Sequence, residues 1–312
     1  MSTKTVYVTL SQFCESDDRP RKILFDAGFD VEENKTGRRI KREEMFEALK
    51  NADAVLAAVE PYDAELLAKL PKLKCISRCG AGADAIDAEA AKKYQKEIFV
   101  TRDEIVEPVA QMTLGMFFSL ARNVVLHKCD FQAGNWKKRT GVLLSEWVIG
   151  LVGFGKIGRA VEKYLRPFGP KILVADPCLS NENLGEGVEV CSLQDLLTRS
   201  DLVSLHAASK PGDGPILGKS EFSKMKRGSF LVNTARGYMV DEKAMEEAIQ
   251  SEILAGVALD VFEEEPYTGS LGKYHNVVVT PHVATLTKAS RVAMELRCAK
   301  NVVDFFERMQ SK

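Results

Sequence analysis

Three short apolar strands in the C-terminal third of the chain each lead to a side chain that can do chemistry: Arg236, Glu265 and His282. Each of these residues stands a few positions beyond a run of aliphatic residues. In an open parallel sheet, ligands bind beyond the carboxyl ends of the strands. If the three strands are parallel neighbours, an anion binder, a carboxylate and an imidazole meet at one edge. Together they could bind an acid and transfer a proton.

The elements that must position these residues form two series of alternating strands and helices, which predicts parallel α/β units. The first hundred residues contain predicted strands at 6–10, 54–59 and 73–77 and predicted helices at 42–51 and 64–70. A long helix, apolar all round and therefore buried, is predicted over 108–129, and a last amphipathic helix over 288–309. The second series has six predicted strands, at 148–152, 171–175, 202–206, 229–233, 255–259 and 277–280.

The strand at 148–152 runs into an intact G-x-G-x-x-G pattern at Gly153, Gly155 and Gly158. The pattern opens a helix and precedes a strand that ends at Asp176, which is the context that a dinucleotide-binding loop requires. The glycines permit the tight turn, the approach of the pyrophosphate and close packing of helix on strand. A carboxylate at Asp176 can accept both ribose hydroxyls and would repel a 2′-phosphate. No Arg or Lys occurs over 177–183, so NAD is favoured over NADP.

Composition indicates an ordinary globular protein with no charge bias toward particular partners. The 312 residues are 45% hydrophobic and 28% charged, and the formal net charge is −1, so neither nucleic acid nor an anionic membrane surface is an expected partner. Seven cysteines without a C-x-x-C pair argue against a disulfide framework or a metal site. The N-terminus lacks a signal-peptide layout. We therefore expect a cytoplasmic protein with no bound metal.

At this point the chain resembles the D-isomer-specific 2-hydroxyacid dehydrogenases, and within them the phosphoglycerate-dehydrogenase-like branch. The resemblance covers nearly the whole chain. It rests on the glycine loop with its acidic partner, on three further motifs at 225–237, 258–266 and 280–282, and on the sequence C-G-A-G-A-D at 79–84.

The resemblance implies a discontinuous architecture of two Rossmann-like domains. Residues 1–102 plus 284–312 would form a smaller, flavodoxin-like substrate-binding domain, and residues 103–283 an inserted, doubly wound NAD-binding domain. The active site would lie in the cleft between them. The family also implies a homodimer through the NAD domain, with the region around Trp136 reaching toward the partner subunit.

The implied activity is the NAD-dependent interconversion of a small D-2-hydroxy acid and its 2-keto acid. His282 would be the general acid/base, because an imidazole titrates near the operating pH. Glu265 beside it would favour the imidazolium form. Arg236 offers a planar fork for the substrate carboxylate or carbonyl oxygen.

A larger set of binding residues follows from the matched motifs. The expected cofactor-binding residues are Gly153, Gly155, Lys156, Ile157, Gly158, Asp176, His206, Thr234, Ala235, Arg236, Asp260 and His282. The expected substrate-binding residues are Cys79, Gly80, Ala81, Gly82 and Arg236, since glycines let backbone N–H groups approach a carboxylate closely. For His206 and Asp260, an ordinary strand-end role or a bracing role is an open alternative.

Some positions depart from the commoner family pattern and leave the substrate open. The family's usual Asp-Asn is Asp84-Ala85 here, its Ala-Glu is Ala110-Gln111, and its Pro-Leu-Thr stretch is replaced after His206. The stretch around Glu60 lacks the Arg-Ser type of sequence with which true phosphoglycerate dehydrogenases meet a phosphate. We therefore do not assign phosphoglycerate as the substrate.

Two other functions are compatible with parts of the pattern. An NAD-sensing regulator, similar to the family's transcriptional corepressors, can retain the same Arg, Glu and His, so these three residues alone do not exclude it. A formate-dehydrogenase-like activity is weaker, because that branch has Gln where Glu265 stands. Turnover of a keto acid by NADH separates the enzyme from the regulator.

Overall fold

A computed structural model describes residues 3–179, 184–185, 187–209 and 212–311. The chain divides into two compact units. Unit 1 comprises Met1–Ile105 and Leu286–Lys312, and unit 2 comprises Val106–Thr285. The sequence-based bounds for the same division are 102/103 and 283/284.

The secondary structure alternates along both units. The strands are β1 (Lys4–Val8), β2 (Phe29–Glu33), β3 (Ala54–Ala57), β4 (Cys75–Arg78), β5 (Glu97–Val100), β6 (Val148–Val152), β7 (Lys171–Ala175), β8 (Val188–Val190), β9 (Leu202–Leu205), β10 (Ser229–Asn233), β11 (Leu254–Leu259) and β12 (Val277–Val279). The helices are α1 (Arg19–Asp26), α2 (Met45–Leu49), α3 (Ala64–Lys69), α4 (Ala88–Lys93), α5 (Val106–Ala121), α6 (Val124–Gln132), α7 (Lys156–Leu165), α8 (Leu193–Arg199), α9 (Lys219–Phe222), α10 (Glu242–Gln250) and α11 (Lys288–Gln310).

Each unit contains one parallel sheet. Unit 1 has the order β2-β1-β3-β4-β5, and unit 2 has the order β12-β11-β10-β9-β6-β7-β8. The first is the flavodoxin-like arrangement, and the second is the doubly wound dinucleotide-binding order with one further strand. The predicted α/β class with two Rossmann-like domains is therefore confirmed.

Burial explains why the strands of unit 2 read as unbroken apolar runs. One residue from each of four strands is 0% exposed: Leu173, Val203, Leu231 and Val257. Strands covered by helices on both faces need apolar side chains on both faces. The backbone N–H and C=O groups of these strands bond to the neighbouring strands of the sheet.

Several helices begin at a side chain that accepts a backbone hydrogen bond. Asp63 accepts from the N–H of Leu66, Ser192 from that of Asp195, and Asp241 from that of Ala244. Such caps satisfy amide groups that the helix itself leaves without a partner. They fix where each helix begins and hence the length of the loop that precedes it.

The predicted long helix over 108–129 is wrong as a single helix. It is two helices, α5 and α6, bent by 59°. Asn123 separates them in a left-handed conformation, with φ of 53°, and its side-chain amide donates to the carbonyl oxygen of Thr140 at 3.1 Å. Asn tolerates this conformation better than most residues. The expected burial holds for much of α5, whereas α6 has no buried residue.

Candidate functional site

The strands that lead to the three chemically able residues are direct neighbours. Strand β10 pairs in parallel with β11, and β11 with β12. The register places Asn233 beside Leu259, and Leu259 beside Val279. The loops after all three strands therefore leave the sheet at one edge. Arg236, Glu265 and His282 belong to those loops, as the sequence predicts.

His282 and Glu265 form a hydrogen-bonded ion-pair geometry. The Nδ1 atom of His282 lies 2.7 Å from Oε2 of Glu265. The other carboxylate oxygen, Oε1, accepts from the backbone N–H of Phe262 at 3.1 Å. The carboxylate is thus held by its own loop while it orients the ring. With Nδ1 engaged, Nε2 is the ring nitrogen that remains for another partner, and the side chain is 44% exposed.

The buried carboxylate of Asp260 accepts hydrogen bonds from residues on both sides of His282 in the loop that carries it. Its Oδ1 accepts from Oγ1 of Thr280 at 2.6 Å and from the N–H of Val283 at 2.8 Å, and its Oδ2 accepts from the N–H of Ala284 at 2.9 Å. His282 itself has φ of 54°, a left-handed conformation that costs free energy in a residue other than glycine. Asp260 therefore braces the loop and holds His282 in this conformation.

The Arg236 loop depends on a residue that the sequence reasoning did not single out. The Nδ2 of Asn233 donates to the carbonyl oxygen of Arg236 at 2.9 Å, and its Oδ1 accepts from the N–H of Ala235 at 2.9 Å. An Asn side chain that closes a turn onto the following residues is a recurrent local motif. The signal was therefore present in the sequence N-T-A-R-G. The guanidinium of Arg236 donates to the carbonyl oxygen of Ala235 at 2.7 Å.

Gly237 brings the Arg236 loop against the loop that leads to Glu265. A Cβ atom added at Gly237 would overlap the backbone carbonyl carbon and oxygen of Phe262 and the backbone nitrogen of Glu263. Only glycine permits this backbone-to-backbone approach. Gly237 therefore fixes the spacing between the predicted anion binder and the acid/base pair.

In the glycine loop, two of the three glycines are required by the protein itself. A Cβ at Gly153, whose φ is 92°, would overlap the backbone of Ala207, and a Cβ at Gly158 would lie 2.5 Å from the carbonyl oxygen of Gly153. At Gly155, by contrast, nothing lies within 4 Å of the added atom. No atom of the described residues requires a glycine there. The open space suits a phosphate group at the start of α7, which begins with Lys156 and Ile157.

Asp176 stands at the end of β7, next to this loop. Its Oδ2 accepts from the N–H of Phe154 at 2.6 Å, and its Oδ1 accepts from the N–H of Cys178 at 2.8 Å. These bonds fix the carboxylate beside the glycine turn, where the sequence predicts a partner for the ribose. The residues from 180 to 183, which form most of the stretch without Arg or Lys, lie outside the described residues.

Two further predicted cofactor residues make protein contacts at the strand ends. The Nε2 of His206 lies 2.9 Å from Oγ of Ser204, and burial lowers the pKa of His206 to about 4. Its imidazole is therefore neutral near pH 7. The hydroxyl of Thr234 lies 3.0 Å from that of Thr113 on α5. The cofactor contacts of His206 and Thr234 stay predictions.

The predicted substrate loop lies in unit 1, after β4. The N–H of Cys79 donates to the carbonyl oxygen of Ala57 at 2.9 Å, and the N–H of Gly80 donates to Oγ1 of Thr101 at 2.7 Å. Gly80 has φ of 139°, and the guanidinium of Arg78 lies close to it. Because the amides of Cys79 and Gly80 are engaged within the unit, Ala81 and Gly82 are the better candidates for binding a carboxylate.

The described residues offer neither a metal centre nor a single membrane-spanning helix. Across the described ranges, no group of three or more His, Cys, Asp or Glu residues could hold a metal ion. In the same part of the chain, no single helix combines the length and apolarity needed to cross a membrane. The pair α5 and α6 meets the test only when taken together across its bend.

Comparison with known proteins identifies the family. Residues 114–284 match the model of the D-isomer specific 2-hydroxyacid dehydrogenase, NAD binding domain. The glyoxylate reductase of Thermococcus litoralis is 34% identical over 273 residues, which are 84% of this chain and 82% of that protein. The D-3-phosphoglycerate dehydrogenase of Methanocaldococcus jannaschii is 34% identical over 278 residues, 87% of this chain but only 52% of that longer protein.

A solved structure extends the likeness to the whole fold. The D-lactate dehydrogenase of Aquifex aeolicus, complexed with NAD and lactic acid, has a TM-score of 0.86 and 27% identity, covering 97% of this chain and 96% of that one. The predicted family, enzyme class and cofactor are thereby confirmed. The chain belongs to the D-isomer specific 2-hydroxyacid dehydrogenases and is an NAD-dependent enzyme of that family.

Proposed function

We propose that the enzyme interconverts a small D-2-hydroxy acid and its 2-keto acid with His282 as the general acid/base. The observation that carries this proposal is the 2.7 Å contact between Nδ1 of His282 and Oε2 of Glu265, at the same sheet edge as Arg236. A titratable ring, oriented by a carboxylate and near an anion binder, has the parts needed to handle the proton of an α-hydroxy acid.

Each of the three residues has a separate role in the proposed reaction. In the oxidation direction, Nε2 of His282 takes the hydroxyl proton, and the negative charge of Glu265 stabilises the imidazolium that results. Arg236 pairs with the carboxylate or the carbonyl oxygen and orients carbon 2. The residues of the glycine loop would hold NAD, which would supply the hydride-accepting chemistry at carbon 2. In reduction, the imidazolium returns its proton to the new hydroxyl oxygen.

The cofactor-binding residues fit NAD on grounds of shape and charge. Gly155 leaves room above the start of α7, where backbone N–H groups favour a phosphate. Asp176 presents a fixed carboxylate that suits two ribose hydroxyls and opposes a 2′-phosphate. The other members of the proposed set are Gly153, Lys156, Ile157, Gly158, His206, Thr234, Ala235, Arg236, Asp260 and His282.

For the substrate, we propose a short-chain acid whose carboxylate is bound by the backbone of the 79–82 loop. Within the described ranges, the backbone N–H groups of Ala81 and Gly82 donate to no protein acceptor, which supports this role, and Gly80 and Cys79 give the loop its shape. Phosphoglycerate is not proposed, because the acidic Glu60 stands where the phosphate-binding sequence would be expected.

The experiment that tests the proposal is the oxidation of NADH and NADPH with glyoxylate, pyruvate, hydroxypyruvate and phosphohydroxypyruvate. We expect turnover of at least one keto acid, with NADH preferred. Binding of NADH without turnover of any of them would favour the NAD-sensing regulator. Equal or faster turnover with NADPH would contradict the role given to Asp176.

We also propose that the enzyme is a homodimer through unit 2. Trp136 is 83% exposed and Phe131 is 69% exposed, with their ring centroids 6.3 Å apart. Adjacent exposed aromatic rings are typical of a surface that a partner covers. We expect sedimentation equilibrium to give a dimer, and Trp136→Glu to weaken it at least tenfold. The exposed Phe25 of unit 1 gives a matched control, Phe25→Glu, that should leave dimerisation unchanged.

A further inference from the structure

The segment 206–209, which follows β9, lies directly against the glycine loop of unit 2. The N–H of His206 donates to the carbonyl oxygen of Val152, the last residue of β6, at 2.7 Å. A Cβ atom added at Gly153 would lie 2.4 Å from the backbone nitrogen of Ala207 and 2.6 Å from the carbonyl carbon of His206. Backbone meets backbone here, with no side chain between. A shift of the segment would therefore leave the first glycine of the proposed cofactor loop without its support.

The sequence of this segment does little to fix its own backbone. It reads His-Ala-Ala-Ser and contains no proline, whose ring would restrict a backbone angle. Ala207 and Ala208 each have a single methyl group to pack. The hydroxyl of Ser209 lies 3.4 Å from Oδ2 of Asp213, which is long for a hydrogen bond, and Asp213 belongs to the same connection between strands. The position of the segment therefore depends on bonds to other parts of the unit.

Tyr238 supplies such a bond. Its hydroxyl donates to the carbonyl oxygen of Ser209 at 2.8 Å, across 29 residues of sequence. Tyr238 lies in one turn of 3-10 helix, Gly237–Met239, which directly follows Arg236. The close approach at Gly237 fixes this turn against the neighbouring loop. One side chain therefore connects the segment beside the glycine loop to the turn beside the predicted anion binder.

We propose that Tyr238 is a positioning residue for the cofactor: its hydroxyl holds the segment 206–209 against Gly153, so that the glycine loop keeps its arrangement before NAD binds. This inference rests on the proposed cofactor site and goes beyond it, because Tyr238 is not among the expected binding or catalytic residues. Without the hydroxyl, only a fraction of the molecules holds the segment in place, and the apparent affinity falls by that fraction. Saturating cofactor restores the arrangement, so kcat changes little.

Tyr238→Phe tests the inference, since it removes the hydroxyl and keeps the ring. By fluorescence titration, we expect the Kd for NADH to rise about 3- to 10-fold, the range for one hydrogen bond between neutral groups. In turnover of a keto acid, KM for NADH should rise by a similar factor, while kcat at saturating NADH should change by less than about twofold. In the cofactor-free protein, hydrogen exchange at the amide of His206 should become faster.

Tyr274→Phe is the matched control. Tyr274 is also partly buried in unit 2, and its hydroxyl donates to Oε1 of Glu246 at 2.7 Å, but it precedes β12 at the opposite edge of the sheet. This variant also loses a hydroxyl that has a protein acceptor, so thermal unfolding shows how much stability such a loss costs. We expect its Kd for NADH and the exchange at His206 to equal the wild-type values.

The outcomes separate this inference from the proposed function. If the wild-type protein does not bind NADH, the proposed cofactor site is wrong. If it does bind NADH, the site stands, and the role of Tyr238 is wrong in either of two cases. In the first, Tyr238→Phe keeps the wild-type Kd, or loses affinity without faster exchange at His206. In the second, both tyrosine variants lose affinity equally, because the effect is then one of stability.

A crystal structure of the cofactor-free wild-type protein gives a test that needs no variant. We expect the hydroxyl of Tyr238 to lie within hydrogen-bonding distance of the carbonyl oxygen of Ser209. A segment 206–209 that reaches this position only when NAD is bound would overturn the inference, even if Tyr238→Phe does not fold.

Discussion

The carboxyl edges of the two parallel sheets differ in how their polar side chains find partners. At the edge of unit 2, Glu265 and Asn233 bind the backbone of their own loops, and Asp260 binds the backbone of the loop that carries His282. At the edge of unit 1, Glu60 retains an oxygen that has no hydrogen-bond partner among the described residues. A fully partnered edge keeps its geometry when empty, which suits proton transfer. At the edge of unit 1, a buried acceptor without a partner instead lowers the free energy of unfolding.

Removing the imidazole should have the largest effect on this arrangement. In His282→Ala, we expect turnover to fall about 10²- to 10⁴-fold, because general acid/base catalysis contributes on that scale. NADH binding, measured by fluorescence titration, should be retained. Full activity in a folded variant would show that the proton passes through another group.

The next largest effect is expected at the contact between the Arg236 loop and the loop that leads to Glu265. In Gly237→Ala, the added methyl group must push the Arg236 loop away from Phe262 and Glu263. A displacement of about 1 Å can cost roughly 100-fold in turnover. The exposed Gly115 on α5 has nothing within 4 Å of an added Cβ, so Gly115→Ala is the matched control and should keep wild-type turnover. Equal turnover in both variants would contradict the positioning role.

A smaller effect is expected when Asp260, which holds the His282 loop, loses its charge. Asp260→Asn keeps the size of the side chain, but one of its terminal atoms becomes a donor facing a backbone N–H. We expect kcat to fall about tenfold and the free energy of unfolding to fall by about 1–3 kcal/mol.

The control for Asp260→Asn is Asp201→Asn. Asp201 is also an aspartate that accepts a backbone hydrogen bond, from the N–H of Val148 at 2.8 Å, and it pairs with Lys226, but it precedes β9 at the amino edge of the unit 2 sheet. This variant should lose stability and keep kcat. If both variants lose only stability, Asp260 serves the fold and not His282.

The smallest effect is expected on the pH dependence of stability. His206 has a pKa of about 4 when folded, against about 6.5 when unfolded, so the unfolded chain binds more protons between these values. The free energy of unfolding should therefore rise with pH from about 4 to 6.5, by roughly 2–3 kcal/mol from this residue. Urea titrations of wild type and His206→Gln at pH 4.5 and 6.5 measure the difference. His275→Gln, at an exposed position, is the control. An unchanged slope in His206→Gln would show that His206 does not carry this dependence.

The parts of the fold that could be predicted are those whose cause is local. The glycine loop, the apolar runs of β7 and β9 and the three strand ends all follow from residues adjacent in sequence. Strand β8 is only three residues long, and a pattern that short is not distinctive. The break before α6 was missed because one left-handed Asn leaves the apolar pattern on both sides intact.

In the candidate site, too, only the features with a local cause could be predicted from the sequence. The identities of Arg236, Glu265 and His282 could be predicted because each follows a recognisable strand. The hydrogen bonds of Asp260 with Thr280 and Ala284 span 20 and 24 residues, and the overlap at Gly237 involves the backbone of another loop. Contacts of this kind leave no periodic signal. The burial of Glu60 could not be predicted either, because a single acidic residue after a strand is ordinarily solvated.

The open space over Gly155 has a consequence for how this protein can be manipulated. Among the described residues, no atom would clash with a side chain at position 155, so the fold does not require glycine there. At Gly153 and Gly158, a side chain would overlap the backbone. A small side chain at position 155 can therefore separate cofactor occupancy from structural integrity. Such a variant would be folded but would not bind NAD. Any property that it shares with the wild-type protein would therefore not depend on the cofactor.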